Sequence, residues 1–303
     1  MGKIAVIGSL NMDIIVSVDR MPKKGETIHG KTVQYLPGGK GANQAVAVYK
    51  LGGDIQLYGK VGNDPFGKDV RESLSQQGLS TETIFTEETA TGIANITLVP
   101  DDNSIVVIPG ANQKWTPETI AGFSEEIVTA DILLMQLEIP IDAVHEALKL
   151  AKQHGVPTIL NPAPAIKLPA DMLQLADFIT PNQTELETLT GRRITTDEQL
   201  GSTIKQWEAD YGGHLIVTLG SRGAAYSENG VLKIVPAPVV KNVRDTTGAG
   251  DCFNGALAYG LAEGWELPRS INFAVAAASL SVTKFGAQAG MPSFEEVMEW
   301  MNS

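Results

Sequence analysis

Short apolar runs alternate with amphipathic stretches from about Asp131 onward, and this alternation constrains the fold more than any other feature. The apolar runs are Ile132–Met135, Thr158–Leu160, Phe178–Thr180 and Leu215–Thr218, and the stretches between them include Ile141–His154, Glu185–Leu189 and Asp197–Tyr211. Such runs are typical of buried strands and such stretches of helices, so the order predicts βαβ units that build a mostly parallel sheet flanked by helices. Ligands of these sheets bind beyond the carboxyl ends of the strands. Polar residues follow the predicted strands there, namely Gln136, Glu138, Asn161, Asn182 and Gly220–Gly223.

Two segments, residues 13–36 and 91–108, lack this alternation and show apolar residues at every second position instead. Their predicted strands are Ile14–Val18, Thr27–His29, Thr32–Tyr35, Ile93–Val99 and Ile105–Ile108. With no helices between them, these strands predict one small sheet that projects as a lid from a single domain spanning residues 1–303. A small sheet usually buries its apolar face, and a second copy of the chain is the simplest partner, so we expect a homodimer formed through the lids.

Charge and cysteine content limit the partners and the compartment. The 303 residues carry a net charge of −12, which argues against nucleic acid or an anionic membrane as a partner, because both attract basic surfaces. A single cysteine cannot form an internal disulfide, which fits a reducing cytoplasm. No apolar stretch approaches the roughly 20 residues that a membrane-spanning helix needs. We therefore expect a cytoplasmic protein without a membrane segment.

The stretch Asp245–Gly255, which reads DTTGAGDCFNG, is the most informative motif for function. The β-branched run Ile234–Val243 before it predicts extended chain, and the apolar spacing after it predicts a helix. Gly248, Ala249 and Gly250 should therefore form the turn that opens this helix, where unpaired N–H groups attract anions. Asp251 then has two interpretations: a base beside an anion site, or a simple helix cap.

Two further segments have both a functional and a purely structural interpretation. Pro37–Gln44 is rich in glycine and precedes a helix with small residues; it could bind a polar ligand through Lys40 and Asn43, or only allow tight packing. Asn11 and Asp13 lie two apart on extended chain, which suits vicinal hydroxyls but also an ordinary strand end. By contrast, Gly25–Thr32 matches a phosphate-binding GxxxxGKT pattern but lacks the preceding strand and following helix, so we interpret it as lid.

Together these segments resemble the ribokinase-like sugar kinases, the PfkB family, over essentially the whole chain. The two family signatures are Gly38–Asn43 with its helix, and Asp245–Gly255. Five further stretches support the resemblance, namely Ser9–Asp13, Met135–Glu138, Leu160–Pro164, Thr180–Glu185 and Thr218–Gly223. The resemblance implies a three-layer α/β fold with a lid and ATP-dependent phosphorylation of D-ribose at O5.

The resemblance also implies a role for individual residues. Asp251 would be the general base, facing an anion hole made by the N–H groups of Gly248, Ala249 and Gly250. The sugar site would comprise Asn11, Met12, Asp13, Gly39, Lys40, Gly41, Ala42, Asn43 and Glu138, with Asp13 binding a pair of ring hydroxyls. The ATP site would comprise Asn182, Thr218, Leu219, Gly220, Ser221, Arg222, Gly223, Gly250, Asp251 and Val275. Val275 stands where the family often has Asn or His over the adenine, so the contact there would be apolar.

Metal ions are implied as well. Mg²⁺ would arrive with ATP, held mostly by phosphates and water. A monovalent cation, usually K⁺ in such kinases, would bind beside the anion hole at Asp245, Thr247, Ser281, Lys284, Gly286 and Gly290, mostly through backbone carbonyls.

Two alternative functions remain. One is a kinase for deoxyribose, another pentose, a ketohexose or a nucleoside, and the other is a non-catalytic sugar-binding protein. The latter could dispense with Asp251 and the Gly-Ala-Gly turn, both of which are present.

Overall fold

A seven-stranded parallel sheet forms the centre of the computed structural model, which describes residues 1–100 and 102–302. In the described part, the strands in chain order are β1 (Lys3–Ile7), β2 (Asn11–Ser17), β3 (Thr32–Gly38), β4 (Asp54–Gly62), β5 (Ile84–Glu87), β6 (Gly92–Val99), β7 (Asp102–Ile108), β8 (Ile132–Gln136), β9 (Thr158–Asn161), β10 (Phe178–Ile179), β11 (His214–Leu215), β12 (Val217–Thr218), β13 (Ala224–Glu228) and β14 (Val231–Val235). The central sheet has the order β11-β10-β9-β8-β1-β4-β5, and all its neighbours pair in parallel. The predicted parallel sheet is confirmed.

Helices cover both faces of this sheet. In the same described residues they are α1 (Lys40–Lys50), α2 (Pro65–Gln76), α3 (Pro117–Ala121), α4 (Ser124–Val128), α5 (Ile141–His154), α6 (Ala170–Leu175), α7 (Gln183–Thr190), α8 (Asp197–Tyr211), α9 (Ala249–Ala262), α10 (Leu267–Ser281), α11 (Ala287–Gly290) and α12 (Phe294–Met301). Ile4 and Val6 of β1 belong to one core cluster with α1, α9 and α10, whereas Ala5 and Ile7 belong to a second with α5 and α8. The fold is thus the three-layer arrangement that the sequence predicts.

Helix α9 packs unusually close to α1, and this contact positions the site. A Cβ atom added at Gly255 of α9 would lie 2.6 Å from Ala47 Cβ and 2.8 Å from the carbonyl oxygen of Gln44. Only a residue without a side chain allows this separation. The close approach brings the first turn of α9 beside the first turn of α1, where the two sequence motifs meet.

The lid is a separate four-stranded sheet with the order β3-β2-β6-β7. The two inner strands, β2 and β6, pair in parallel. Each outer strand is antiparallel to its inner neighbour, β3 to β2 and β7 to β6. Val33, Tyr35 and Ile105 are each about half exposed on it. The predicted strand Thr27–His29 is wrong: residues 18–31 hold no strand, and Arg20 and Glu26 form an ion pair that closes this segment on itself. Residue 101, inside the predicted lid segment 91–108, lies outside the described residues.

One other predicted strand needs correction, and one run predicted as extended chain holds a strand only at its start. The predicted strand Leu215–Thr218 divides at Ile216, because β11 joins the central sheet while β12 begins a three-stranded antiparallel sheet, β12-β13-β14. In the run Ile234–Val243, predicted as extended chain, strand β14 ends at Val235. Pro236 follows at once, and proline cannot donate a ladder hydrogen bond. The GxxxxGKT segment leads directly into β3 without a helix, as predicted.

Candidate active site

Two cavities meet at the carboxyl ends of the central strands. The smaller, of about 210 Å³, is lined by Lys40, Asn161, Ala163, Thr180, Asn182, Glu185, Thr218, Gly248, Gly250, Asp251 and Asn254. The larger, of about 560 Å³, lies beside it and shares Asn182, Thr218 and Gly250 with the smaller one. A polar chamber therefore opens into a larger and more apolar cavity, an arrangement that suits a charged reacting group attached to a larger ligand.

The Gly-Ala-Gly turn opens α9 as predicted. Gly248 precedes the helix with φ of 80°, in the left-handed region that favours glycine. The N–H group of Ala249 donates to the Thr246 carbonyl at 3.2 Å, whereas no acceptor is found in the described residues for those of Gly248 and Gly250. A Cβ atom added at Gly250 would meet nothing within 4 Å. The start of α9 thus presents free donors to both cavities, which is the property of an anion-binding helix terminus.

Asp251 does not cap α9. The helix has no side-chain cap, and the carboxylate instead accepts hydrogen bonds from α1. Asn43 Nδ2 donates to Oδ2 and Gln44 Nε2 to Oδ1, both at 3.0 Å. The side chain is only 6% exposed and lines the smaller cavity. Of the two interpretations from sequence, the structure favours a carboxylate held toward a ligand site.

The predicted sugar residues surround the start of α1. Asn11, Met12 and Asp13 open β2, not the end of β1, and Gly39 leads into α1. Glu138 Oε2 accepts hydrogen bonds from Ser9 Oγ at 2.5 Å and from the N–H of Lys40 at 3.1 Å. The Asn11 side chain accepts a hydrogen bond from Asn112 Nδ2 at 2.8 Å.

Several of the predicted sugar residues, Gly39 included, have no side chain facing a ligand. Met12 and Ala42 belong to the hydrophobic core, and Gly41 packs against the backbone of Gly8. The N–H of Ala42 already donates to the Ser9 carbonyl at 3.0 Å. These residues shape the start of α1, while Asp13, Lys40, Asn43 and Glu138 supply its functional groups.

Several charges interact at this site. Burial, reinforced by the charges of Glu138 and Asp251, raises the pKa of Asp13 from 3.8 to about 7, although Lys40 opposes the rise. Burial disfavours the charged form of Lys40, but Asp251, Glu138, Glu185 and Asp13 together raise its pKa. Burial also raises the pKa of Glu185, with a further contribution from Asp251. The site therefore concentrates negative charge around one buried ammonium group.

Most of the predicted nucleotide residues line the larger cavity. They are Asn182, Thr218, Gly220, Ser221, Gly223, Gly250 and Val275. Leu219 and Arg222 do not line it: Leu219 packs against the core, and Arg222 pairs with Asp197 at 2.5 Å. Asp251 lines only the smaller cavity, among the groups that would face the phosphates.

The six predicted cation residues lie in two segments that contact each other beside the Gly-Ala-Gly turn. Asp245 accepts hydrogen bonds from the N–H groups of Thr247 and Gly286, each at 2.9 Å. A Cβ atom at Gly290 would lie 2.6 Å from the Ser281 carbonyl oxygen. The Lys284 ammonium instead turns to Glu296 at 3.1 Å, so this residue could contribute only its backbone. Among residues 1–100 and 102–302, no group of three or more His, Cys, Asp or Glu is placed to hold a metal.

Sequence reasoning assigned no role to several polar residues of the site, Gln44, Gln136, Asn254 and Glu185 among them. Gln44 binds Asp251 directly, Gln136 binds Gln44, and Asn254 and Glu185 line the smaller cavity. Gln136 and Glu185 carried a usable signal, since Gln136 ends the central strand β8 and Glu185 lies in the stretch that follows β10. Gln44 closes the glycine-rich segment, but its partner is 207 residues away in the chain, so no local pattern could reveal the contact.

Comparison with known proteins identifies the family of the chain. The model of the pfkB family of carbohydrate kinases matches residues 1–293, and the chain belongs to that family. The chain is 43% identical to a ribokinase of Bacillus subtilis over 303 residues, covering 100% of both chains. It is 36% identical to a deoxyribokinase of Salmonella typhi, covering 99% of this chain and 98% of that protein.

A solved structure provides the same comparison in three dimensions. A ribokinase of Arabidopsis thaliana, determined in complex with ribose and ATP, superposes with a TM-score of 0.91 at 36% identity. The superposition covers 100% of this chain and 99% of the Arabidopsis chain. The predicted fold and the resemblance to this family are therefore confirmed. No helix within residues 1–100 and 102–302 has the length and apolar character to cross a membrane.

Proposed function

We propose that the protein transfers the γ-phosphoryl group of ATP to O5 of D-ribose. The observation that carries the proposal is the position of Asp251, a buried carboxylate that lies at the free N–H groups of a helix start without capping it. Such a group can accept the proton of a sugar hydroxyl. The N–H groups at the helix start can meanwhile stabilise the negative charge of the transferring phosphoryl group. Ribokinases as similar as that of Bacillus subtilis support D-ribose as the acceptor.

Asp251 is the general base in this mechanism. It accepts the O5 proton as O5 bonds to the γ-phosphorus and the bond to the ADP oxygen breaks. A positioned base typically contributes about 10²–10⁴-fold to the rate. Gly248 and Gly250 supply unengaged donors for the transferring group, and Ala249 adds a third on releasing the Thr246 carbonyl. Lys40, which lines the same cavity, neutralises part of the phosphate charge.

The sugar binds at the start of α1 in this proposal. Asp13 accepts hydrogen bonds from two ring hydroxyls, and Lys40, Asn43 and Glu138 contact the remaining ones, while Asn11 and Gly39 shape the floor with Met12, Gly41 and Ala42. Closure of the lid would exclude water, which otherwise competes with the sugar as phosphoryl acceptor.

We further propose that two chains associate through their lids, since the lids expose apolar side chains. We also propose that the protein is cytoplasmic, since its one cysteine is a buried free thiol.

ATP occupies the larger cavity, with the adenine toward Val275 and the phosphates toward Gly250. Mg²⁺ fits this site only as part of the nucleotide complex, because the described residues offer no cluster of metal ligands. When bound, it supplies charge neutralisation to the phosphates. K⁺ fits the segment around Asp245, because Gly290 places no side chain against the Ser281 carbonyl oxygen, where an added Cβ atom would lie 2.6 Å away. Carbonyl and carboxylate oxygens are suitable ligands for such a cation.

A second acceptor, deoxyribose, is favoured by the similarity to a deoxyribokinase. A deoxy sugar lacks one hydroxyl, so a site built to bind that hydroxyl leaves a buried polar group unpaired and discriminates strongly. A kinetic panel of ribose, deoxyribose, ketohexoses and nucleosides separates these acceptors. A higher kcat/KM for deoxyribose than for ribose would replace the proposed acceptor and leave the role of Asp251 intact.

Replacement of the base tests the reaction itself. We expect Asp251→Asn to lower kcat for ribose phosphorylation by at least about 10²-fold, because a carboxamide cannot take the proton. Ribose binding, measured by calorimetry without nucleotide, should persist. Retention of more than about a tenth of the wild-type kcat would contradict general-base catalysis at this residue.

A further inference from the structure

Two chains of buried amide side chains converge on the Asp251 carboxylate. On one side, Gln136 Nε2 donates to Gln44 Oε1 at 2.6 Å, and Gln44 Nε2 donates to Asp251 Oδ1 at 3.0 Å. On the other, Gln288 Nε2 donates to Asn43 Oδ1 at 3.2 Å, and Asn43 Nδ2 donates to Asp251 Oδ2 at 3.0 Å. Gln44 and Gln136 are fully buried, so water does not replace these bonds. Each carboxylate oxygen is thus held by a different chain.

The orientation of the Gln44 amide is determined by its partners. Its Nε2 also donates to Asn161 Oδ1 at 3.2 Å, so both N–H groups have acceptors while Oε1 accepts from Gln136. A turned amide would place its carbonyl oxygen against the Asp251 carboxylate and its N–H groups against the N–H of Gln136. One orientation therefore satisfies all three polar contacts of the Gln44 amide, and the other leaves buried polar atoms opposed.

Holding both oxygens fixes the plane of the Asp251 carboxylate. A carboxylate has about four lone-pair positions, of which Gln44 and Asn43 occupy one each. The remaining positions stay available to a hydroxyl at the cavity. Since catalysis is sensitive to displacements of about 1 Å, a carboxylate free to rotate would lose much of its effect. Gln44 itself does not line either cavity.

We propose that Gln44 is a positioning residue for the Asp251 base, and that Gln136 acts through it by fixing the orientation of its amide. The inference rests on the proposed function, in which Asp251 takes the proton of the sugar hydroxyl. Gln44 belongs to α1 and Asp251 to α9, so the contact also aligns the sugar-binding helix with the helix that faces the phosphate.

The first experiment replaces Gln44 by an apolar side chain of similar length. We expect Gln44→Met to lower kcat by about 10- to 100-fold while KM for ribose changes by less than about threefold, because positioning of the base affects the reacting step more than binding. Gln206→Met is the control for the same substitution outside the site, since this exposed glutamine donates its side-chain hydrogen bond to Asp210, at 2.7 Å. It should keep the wild-type kcat and KM.

The second experiment tests whether Gln136 acts through Gln44. Gln136→Met should lower kcat by about 3- to 10-fold, because the Gln44 amide is then free to turn. The double variant should be no slower than Gln44→Met alone, since Gln136 has nothing left to orient. Thermal melting confirms folding, and Gln136→Met carries the test alone if Gln44→Met does not fold. A wild-type kcat in the folded variants, or losses that multiply in the double variant, would overturn the inference.

Asp251→Asn in the same assay separates this inference from the proposed function. If that variant is inactive while Gln44→Met and Gln136→Met match the wild type, Asp251 remains the base and only the positioning role fails. If Asp251→Asn retains substantial turnover, the proposed base fails and the positioning role fails with it.

Discussion

The raised pKa of Asp13 predicts that ribose binding depends on pH in the neutral range. The carboxyl group is buried beside Glu138 and Asp251, and its pKa of about 7 lies well above the ordinary 3.8. In the proposed complex, the ionised form accepts hydrogen bonds from two sugar hydroxyls, whereas the protonated form can accept fewer and must donate one. Lowering the pH should therefore weaken binding by removing the competent form.

The size of this effect follows from the ionised fraction. With a pKa of about 7, roughly nine tenths of Asp13 is ionised near pH 8, about one tenth near pH 6 and about one hundredth near pH 5. Apparent affinity scales with the fraction of the binding-competent form. The dissociation constant for ribose should therefore rise about tenfold from pH 8 to pH 6, and about a hundredfold from pH 8 to pH 5.

Calorimetric titration of the nucleotide-free protein with ribose, at constant ionic strength across this range, measures the effect. Asp13→Asn is the matched variant, because it keeps the shape and removes the titrating group. It should bind about 10- to 100-fold more weakly than the wild type near pH 8, through loss of charge-assisted hydrogen bonds, and show a flat profile. A flat wild-type profile, or a tenfold pH effect that survives in Asp13→Asn, would refute the assignment of Asp13 to the sugar.

Two further predictions concern the cation and the lid. Gly290→Ala places a methyl group against the Ser281 carbonyl oxygen. The rise in ribose-dependent ADP formation when K⁺ replaces Na⁺ should therefore be lost. Activity of the variant in Na⁺ should stay within about twofold of the wild-type activity in Na⁺. A K⁺ response equal to that of the wild type would remove Ser281 from the cation site. Ile105→Lys puts a charge on the exposed lid, so light scattering should show monomers where the wild type shows dimers. An unchanged mass would place the contact elsewhere or exclude it.

The sequence predicted the central sheet because its strands are buried on both faces. Ile132–Gln136 is buried at every position, so its apolar run is continuous and bounded by polar residues. The same rule could not resolve Leu215–Thr218, since an apolar run does not reveal which neighbour each residue pairs with. Ile216 donates to the Ile179 carbonyl of the central sheet, whereas Val217 already pairs with Ala225 of another sheet.

The candidate site was predictable where its chemistry is local. The glycine turn before Asp251 requires only neighbouring residues, and its backbone conformation at Gly248 is the one that the sequence suggests. The partners of Asp251 were not predictable, because Asn43 and Gln44 reach it only through the packing of α1 on α9. Hydrogen bonds across such separations depend on tertiary structure that no local pattern contains.

That packing makes Gly255 important for catalysis although it touches no ligand. In Gly255→Ala the new Cβ atom would lie 2.6 Å from Ala47 Cβ, closer than atoms tolerate, so α9 and α1 must separate. We expect a stability loss of about 1–3 kcal/mol and a fall in kcat of about tenfold or more, because Asp251 moves away from Asn43 and Gln44.

Gly155→Ala is the control variant, because it should lower stability without moving α9 away from α1. Gly155 ends α5 with φ of 72° and has no atom within 4 Å of an added Cβ, so the substitution should cost about 1–2 kcal/mol through backbone strain alone. Unfolding in urea gives both stabilities, and steady-state kinetics give both rates. If helix spacing sets the geometry of the base, only Gly255→Ala loses kcat. Equal kcat in the two variants at similar stability would mean that Asp251 keeps its partners when the helices move apart, and the link between this packing and catalysis would be wrong.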